Sequence, residues 1–229
     1  MKTYFFNDSL FMPGTQKGPE ELYDNALALK GTPGELYVKK RGIPLEVANT
    51  EGLRFAPSFN KRPAVVALLR NENDEVVSIH GRFIQTFRGE NKMLTIGRGN
   101  GFINVSGGWK AEPLIIVEGM FDALSLAVSG WPAVAPIGRH VSWITEKAEG
   151  RKVWIAFDRC KPAERDFQKY KSLLTKSIVS RIYPPERCKD WNTALVKLGA
   201  RVIFNWIQMH MGDNIKSTLP TEKTDYHLN

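Results

Sequence analysis

Glu118, Asp122, Asp158 and Asp190 are the residues whose types and spacing could do chemistry. Glu118 follows the apolar run Leu114-Ile-Ile-Val117 and precedes Gly119, after which Phe121, Leu124 and Val128 recur at helical spacing. Such a run reads as a strand buried on both faces, so Glu118 falls where a central strand ends and a helix begins. In open α/β sheets this carboxyl edge is where ligands bind. Asp122 lies one helical turn further on and can lean back towards Glu118. Asp158 closes a second buried run, Lys152-Val-Trp-Ile-Ala-Phe157, and Asp190 follows the last strand. Carboxylates clustered at one sheet edge repel one another and are tolerated when a divalent cation neutralises them; hard oxygen ligands suit Mg²⁺ or Mn²⁺. Mg²⁺ takes one or two protein carboxylates and leaves other positions to substrate phosphates, so phosphoryl chemistry on nucleic acid is expected. The alternative for Glu118 and Asp122 is the ordinary electrostatic preference of acids for a first helical turn.

The elements that must position these acids emerge from the remaining 229-residue sequence. An apolar share of 42% suffices for a core of one large or two small domains. The mean hydropathy of −0.29 marks a soluble protein. No apolar run approaches the roughly 20 residues that span a bilayer, and no signal peptide is visible, so a cytoplasmic protein is expected. Two cysteines, Cys160 and Cys188, build neither a disulfide framework nor a four-ligand zinc site. The net charge of +8 and pI near 9.5 favour a polyanionic partner such as nucleic acid.

Residues 1–19 read as a flexible N-terminal arm broken by Pro13-Gly14 and Gly18-Pro19. From Glu20, Leu22, Ala26 and Leu29 share a helical face up to Gly31; Thr32, Pro33 and Glu35 then cap a second short helix that runs to Gly42. Between about 53 and 112 the pattern is of strands: Ala64–Leu69, a turn at Asn71–Asp74, a return arm Val76–His80 continued by Gly81–Gln85, and Phe102–Val105. Arg54, Lys61, Arg62, Arg70, Arg82, Arg88, Lys92, Arg98 and Lys110 recur here, interleaved with Phe55, Phe59, Phe83, Phe87 and Phe102. That mixture suits the backbone and bases of a single strand, or equally a solvated basic face over a core that uses the aromatics. From Leu114 strands and helices alternate: Ala133–Ala135, a helix near Val141–Ala148, Lys152–Phe157, a helix over about 163–175, Ile178–Tyr183, a helix from Thr193 and a final one over 200–211. Repetition of this kind predicts a parallel sheet with right-handed crossovers. Residues 212–229 are polar and read as a disordered tail. The run Gly97-Arg-Gly-Asn-Gly101 lacks nucleotide-loop spacing, and the isolated His80 and His140 read as structural.

The segment Ile115-Ile-Val-Glu118-Gly119-Met-Phe-Asp122, the strand leading into Asp158, and Lys189-Asp190-Trp191-Asn192 resemble the Toprim domain, the catalytic core shared by DnaG-type primases, topoisomerases and some nucleases. Upstream, Thr32–Ile43 and Pro63–Ala67 through Gly81-Arg82 resemble the N-terminal subdomain of primases from phages, plasmids and other mobile elements. The resemblance covers about Leu22 to Ile207. It implies an α/β fold in which a C-terminal Toprim-like parallel sheet flanked by helices, residues 113–211, is preceded by a smaller, basic α+β subdomain, residues 20–112. By resemblance Glu118 is the acid–base or metal-poising carboxylate, Asp158 the main metal ligand, Asp122 a supporting group and Asp190 part of the third acidic motif, with Mg²⁺ or Mn²⁺ as the cofactor. Arg82 and Lys92 fall where primases hold template or incoming nucleotide; Arg41, Arg98 and Lys189 complete the candidate nucleic-acid- or nucleotide-binding set.

Two positions depart from the family pattern. Its second motif, Asp-x-Asp, reads Asp158-Arg159-Cys160 here, and a thiol is a poor Mg²⁺ ligand. Glu164 or Asp166 could substitute from the following helix. Asn192 stands where many primases carry a second acid. The sequence shows neither a Cys/His zinc module nor a nucleotide-loop helicase, so a replicative helicase and a separate zinc-binding initiation module are implied partners beside single-stranded DNA template and nucleoside triphosphates. Three readings stay open: a metal-dependent primase-like nucleotidyltransferase in replication of a mobile element or phage; a Toprim remnant weakened at Cys160 that binds single-stranded DNA as a replication accessory; and a Toprim nuclease.

Overall fold

Residues 17–137 and 144–211 are described in the computed structural model. The arm expected over 1–19 up to residue 16, His140, the start of the helix expected near Val141 and the tail 212–229 lie outside them. Pro19 opens a short helix, α1 (Pro19–Asp24), as proline can where an N–H would have no partner anyway. The helix expected to continue to Gly31 ends there. Leu27–Ala28 instead form β1, paired antiparallel with Phe55 and Arg54, and Leu27 points to solvent while Leu29 is fully buried. A pairing partner distant in sequence overrides the helical spacing of Leu22, Ala26 and Leu29. The second helix, α2 (Pro33–Lys40), is capped as expected: Thr32 Oγ1 accepts the Gly34 N–H at 3.2 Å. Glu35 reaches back to the Gly31 N–H at 2.6 Å instead of to the cap residue itself. A further turn of helix, α3 (Leu45–Thr50), was not legible in the sequence; it buries Ala48.

Four antiparallel strands follow, β2 (Arg54–Phe59), β3 (Arg62–Arg70), β4 (Val76–Phe83) and β5 (Met93–Gly97). The chain then passes through β6 (Phe102–Val105) and a 3₁₀ turn at Gly108–Lys110 into the alternating half. That half comprises β7 (Leu114–Ile116), α4 (Met120–Val128), β8 (Ala133–Pro136), α5 (Ile144–Lys147), β9 (Lys152–Ile155), α6 (Lys161–Leu173), β10 (Ile178–Arg181), α7 (Trp191–Leu198) and α8 (Ala200–Met211). The order agrees with the sequence expectation, with ends displaced by a few residues. Parallel pairing runs β8-β7-β9-β10, as strand–helix repetition requires. Antiparallel β6 borders β8 and also meets β3 at Phe102 and Arg70, so a single ten-stranded sheet runs through both halves.

Alternation along β7 shows why this strand is central. Ile115 and Val117 face the larger apolar cluster, beneath α2, α4, α7 and α8, whereas Leu114 and Ile116 face a second cluster against α5 and α6. All four are 1% exposed or less, which leaves the chain no polar relief until Glu118. A third cluster, built on Phe59, Val66, Ile79 and Phe83, lies under the N-terminal strands. Four of the five phenylalanines interleaved with basic residues, Phe55, Phe59, Phe83 and Phe102, are thereby core residues at 3–5% exposure, and Phe87 alone is on the surface. Among the described residues no helix is long and apolar enough to cross a membrane.

The join between the two halves is tight at Gly108, where an added Cβ would stand 2.5 Å from the Ala133 backbone at the start of β8. Backbone in a buried strand cannot swing aside as a side chain can. Gly108→Ala is therefore expected to lower stability by about 1–3 kcal/mol, the usual cost of overpacking, read as a lower urea midpoint with an unchanged m-value.

Candidate active site

The four acids reach one edge of the sheet because three strand-to-helix transitions end there. Glu118 leaves β7 directly after buried Val117, and its Oε1 accepts the backbone N–H of Asp158 at 3.1 Å. This bond ties the end of β7 to the end of β9. Gly119 then turns the chain into α4; a Cβ there would press to 3.2 Å on the Asp122 carboxylate, so the smallest residue leaves room for it. Asp190 caps α7, its Oδ1 accepting the Thr193 N–H at 2.7 Å. Trp191, fully buried, anchors that cap by donating its indole N–H to the Ala156 carbonyl at 2.7 Å, beside Asp158. The next residue, Asn192, donates its backbone N–H to Asp122 Oδ1 at 3.1 Å.

Confinement raises the proton affinity of two of these carboxylates, Asp122 and Asp158. Burial, then the charges of Asp158 and Asp190, push Asp122 up to about 8, against the pull of the Asn192 N–H. Burial, then Glu118 and Asp190, push Asp158 up to about 7, while Lys189 and Arg181 pull it down. Arg181 was not singled out from the sequence. Its side chain is 7% exposed and donates to the carbonyls of Asp158 (2.8 Å), Ile155 (2.9 Å) and Ile182 (2.8 Å), with Glu164 at 3.7 Å. It is a fixed cation behind the acids, and nothing in a four-residue edge strand marks an arginine as buried.

The departures in the motifs now have physical descriptions. Arg159 turns away from the acids, onto the Pro184 carbonyl at 2.5 Å and over the Tyr183 ring. Cys160 stands at the N-cap of α6 and packs on the second apolar cluster. Glu164, the first substitute considered, is held by Gln168, Tyr183 and Arg181. Asp166, the second, acts on Tyr170, whose hydroxyl is held to its proton first by burial and then by the Asp166 charge. Asn192 is buried and bridges the two halves of the chain: its Oδ1 accepts from Arg41 Nη1 at 3.0 Å, and its Nδ2 donates to the Arg41 carbonyl (2.8 Å) and Ser125 Oγ (3.0 Å). An aspartate could make neither of the last two bonds.

Beside this bridge opens a cleft of about 530 Å³ between α2, β4 and α7. Lys40, Arg41, Arg82, Lys92 and Lys197 supply its cations and Asn192 its floor towards Asp122. Arg82 Nε is buried without an acceptor among the described residues. Arg41, one of the expected binding residues, spends its guanidinium on Asn192 and the Tyr37 hydroxyl and lies against the Tyr37 and Phe121 rings. Lys189 is exposed and acts on Asp158, and Arg98 is exposed just past β5, not on the cleft lining. His80 is structural, buried on Thr95 Oγ1 at 2.9 Å and pushed down to about 4 by burial and then by the Arg82 charge. Lys40 and Lys197 were missed, because only the fold brings α2 and α7 together.

Among the described residues no three His, Cys, Asp or Glu side chains form a group that could hold an ion alone. The donor set nevertheless fits the chemistry of Mg²⁺ or Mn²⁺: hard oxygens only, with mutual repulsion that an added cation relieves. Mg²⁺ takes only one or two protein carboxylates when phosphates complete its octahedron. Glu118 and Asp158, joined through a backbone hydrogen bond, are the pair placed to serve it, with Asp190 next to them.

The fold and two segments of the sequence are similar to known proteins. Residues 113–201 match the family model described as Toprim domain, and residues 14–98 that described as Domain of unknown function (DUF7146). No curated protein sequence matches the chain. The fold is similar to that of the Aquifex aeolicus primase comprising zinc-binding and RNA polymerase domains, with a TM-score of 0.66 at 22% identity over 83% of this chain. The chain spans 59% of that structure's length. A DnaG primase catalytic domain bound to ssDNA matches with a TM-score of 0.65 at 17% identity, covering 83% of this chain and 77% of the other. The primase fragment of the bacteriophage T7 primase-helicase protein matches at 0.55 and 21% identity, covering 74% and 72%. Residues 113–201 are thus a Toprim domain, and the chain has the fold of DnaG-type primase catalytic cores.

A carboxyl with a folded pKa above its unfolded value binds its proton more tightly when folded, so stability falls as pH rises from one value to the other. Asp122 and Asp158, lifted from 3.8 to about 8 and about 7, place this loss between about pH 4 and pH 8. In metal-free buffer Tm is expected to decline across that interval. Asp122→Asn, which keeps an acceptor for the Asn192 N–H, should flatten the decline.

Proposed function

We propose that this protein is a metal-dependent, primase-type nucleotidyltransferase that extends a primer on single-stranded DNA, in the replication of a phage or other mobile element. The observation that carries the reading is the juxtaposition of the Glu118–Asp158 pair with the cationic cleft, bridged by Asp122 and Asn192. Acids at a strand edge without such a cleft would suit many reactions. A cleft lined by five Lys or Arg side chains, one with an orphaned buried N–H, suits phosphates.

In this reading the cleft draws in a nucleoside triphosphate and the template backbone, with Arg82 and Lys92 as principal phosphate contacts. Glu118 orients the primer hydroxyl or takes up its proton. Asp158 and Asp190 complete the carboxylate face, and Asp122, inclined to hold its own proton, limits the repulsion among them. A bound Mg²⁺ or Mn²⁺ supplies neutralisation of the triphosphate and a more acidic primer hydroxyl. The new bond joins the hydroxyl oxygen to the α-phosphorus, and pyrophosphate leaves. The ssDNA bound by one structural relative and the primase-helicase identity of another support template binding and partnership with a helicase. A separate zinc-binding module for initiation is a further proposed partner, and the cytoplasm the proposed location.

Cys160 favours a second reading. It lies on the apolar cluster at a motif position that the family fills with a carboxylate, which suits a remnant that binds single-stranded DNA without synthesis. The two part in one assay. Glu118→Gln is expected to cut Mg²⁺- or Mn²⁺-dependent primer synthesis by roughly 100-fold or more while single-strand affinity stays at the wild-type level. Wild-type protein that makes no product, with Cys160→Asp restoring synthesis, would establish the remnant instead. Metal-dependent degradation of labelled DNA without added nucleotides would mark a Toprim nuclease.

The basic cleft has its own test in the salt dependence of single-strand binding. Lys92→Ala should weaken binding to all sequences alike and reduce the slope of log K against log salt by about 1.

A further inference from the structure

The one surface aromatic of the basic half carries an inference that rests on the single-strand reading above. Phe87 is 75% exposed, whereas Phe55, Phe59, Phe83 and Phe102 are at most 5% exposed. Its loop, between β4 and β5, is held in place. Glu90 accepts the Phe87 N–H at 3.1 Å and donates its own N–H to the Phe87 carbonyl at 3.2 Å. Arg62 clamps the base of the loop: it pairs with Glu90 at 2.9 Å, donates to the carbonyls of Gln85 (2.7 Å) and Asn91 (3.2 Å), and lies over the Phe83 ring. The turn at Gly89, with φ of +89°, closes the loop in a conformation that side chains resist.

A single exposed apolar residue is ordinary on a protein surface. This one is presented by a loop with five tethers, and the same loop lines the cationic cleft with Thr86 and Lys92 and carries exposed Arg88 next in sequence to the ring. An exposed ring next in sequence to Arg88, on the loop that gives Thr86 and Lys92 to the cleft, suits a strand whose phosphates are neutralised while an unpaired base covers the ring face. A protein partner would be served by a wider apolar patch; Gln85, Thr86, Arg88, Gly89 and Glu90 around the ring are exposed and none is a large apolar residue.

We propose that Phe87 is a base-stacking residue for single-stranded nucleic acid at the mouth of the cleft. Because the side chain is on the surface, its removal leaves the fold intact. The test measures binding of fluorescein-labelled oligothymidylate and of the same strand with abasic sites. Wild type is expected to prefer the strand with bases by about tenfold, and Phe87→Ala and Phe87→Leu to lose that preference with the salt slope unchanged. Phe87→Trp should keep the preference and show indole quenching on binding beyond that of wild type. Phe87→Ala binding both strands as wild type does would overturn the assignment alone. Wild type that binds neither strand would overturn the single-strand reading and the assignment with it.

Discussion

Repulsion among Glu118, Asp122, Asp158 and Asp190 is the constraint around which the Toprim half is arranged. Four carboxylates at neighbouring strand ends oppose folding: burial, and then the charge of the other acids, raises the proton affinities of Asp122 and Asp158. The site persists because each acid is held by a different backbone element: Glu118 by the Asp158 N–H, Asp122 by the Asn192 N–H, and Asp190 by the start of α7. Trp191 and Arg181 then fix the elements themselves, one from the apolar side and one as a buried cation. Holding like charges together at the expense of stability is typical of functional sites and uncommon elsewhere.

The Arg41–Asn192 contact makes the two halves one working unit. Residues 151 positions apart exchange two hydrogen bonds, and the same asparagine touches Asp122 and Ser125. The basic cleft lies directly beside it, so geometry at the acids and geometry in the cleft share one support. Asn192 is a neutral amide whose side-chain oxygen and nitrogen are both engaged. Cys160 differs: its thiol joins the apolar packing at the N-terminus of α6 and makes no side-chain cap hydrogen bond there.

Much of this was legible beforehand because buried strands have a plain signature. Leu114–Val117 and Lys152–Phe157 are near-continuous apolar runs, each ending on an acid, and the strand–helix alternation around them permits few topologies. The capped helix after Thr32 was equally plain, since its signals are local. Alpha3 was missed because six residues with one buried alanine carry no periodicity. The helix expected over 20–31 failed at Leu27, where pairing with β2 outweighed a spacing that suits a helix.

The sequence alone determined which acids close which strands, that the chain is basic, and the class of fold, because burial patterns and turn chemistry are local properties. The tertiary structure decided what those residues meet: that Arg41 is spent on Asn192, that Arg159 turns outward while Arg181 stands behind Asp158, and that four phenylalanines are core and one is surface. Hydrogen-bond partners and solvent exposure depend on segments far apart in sequence, and only packing brings those segments into contact.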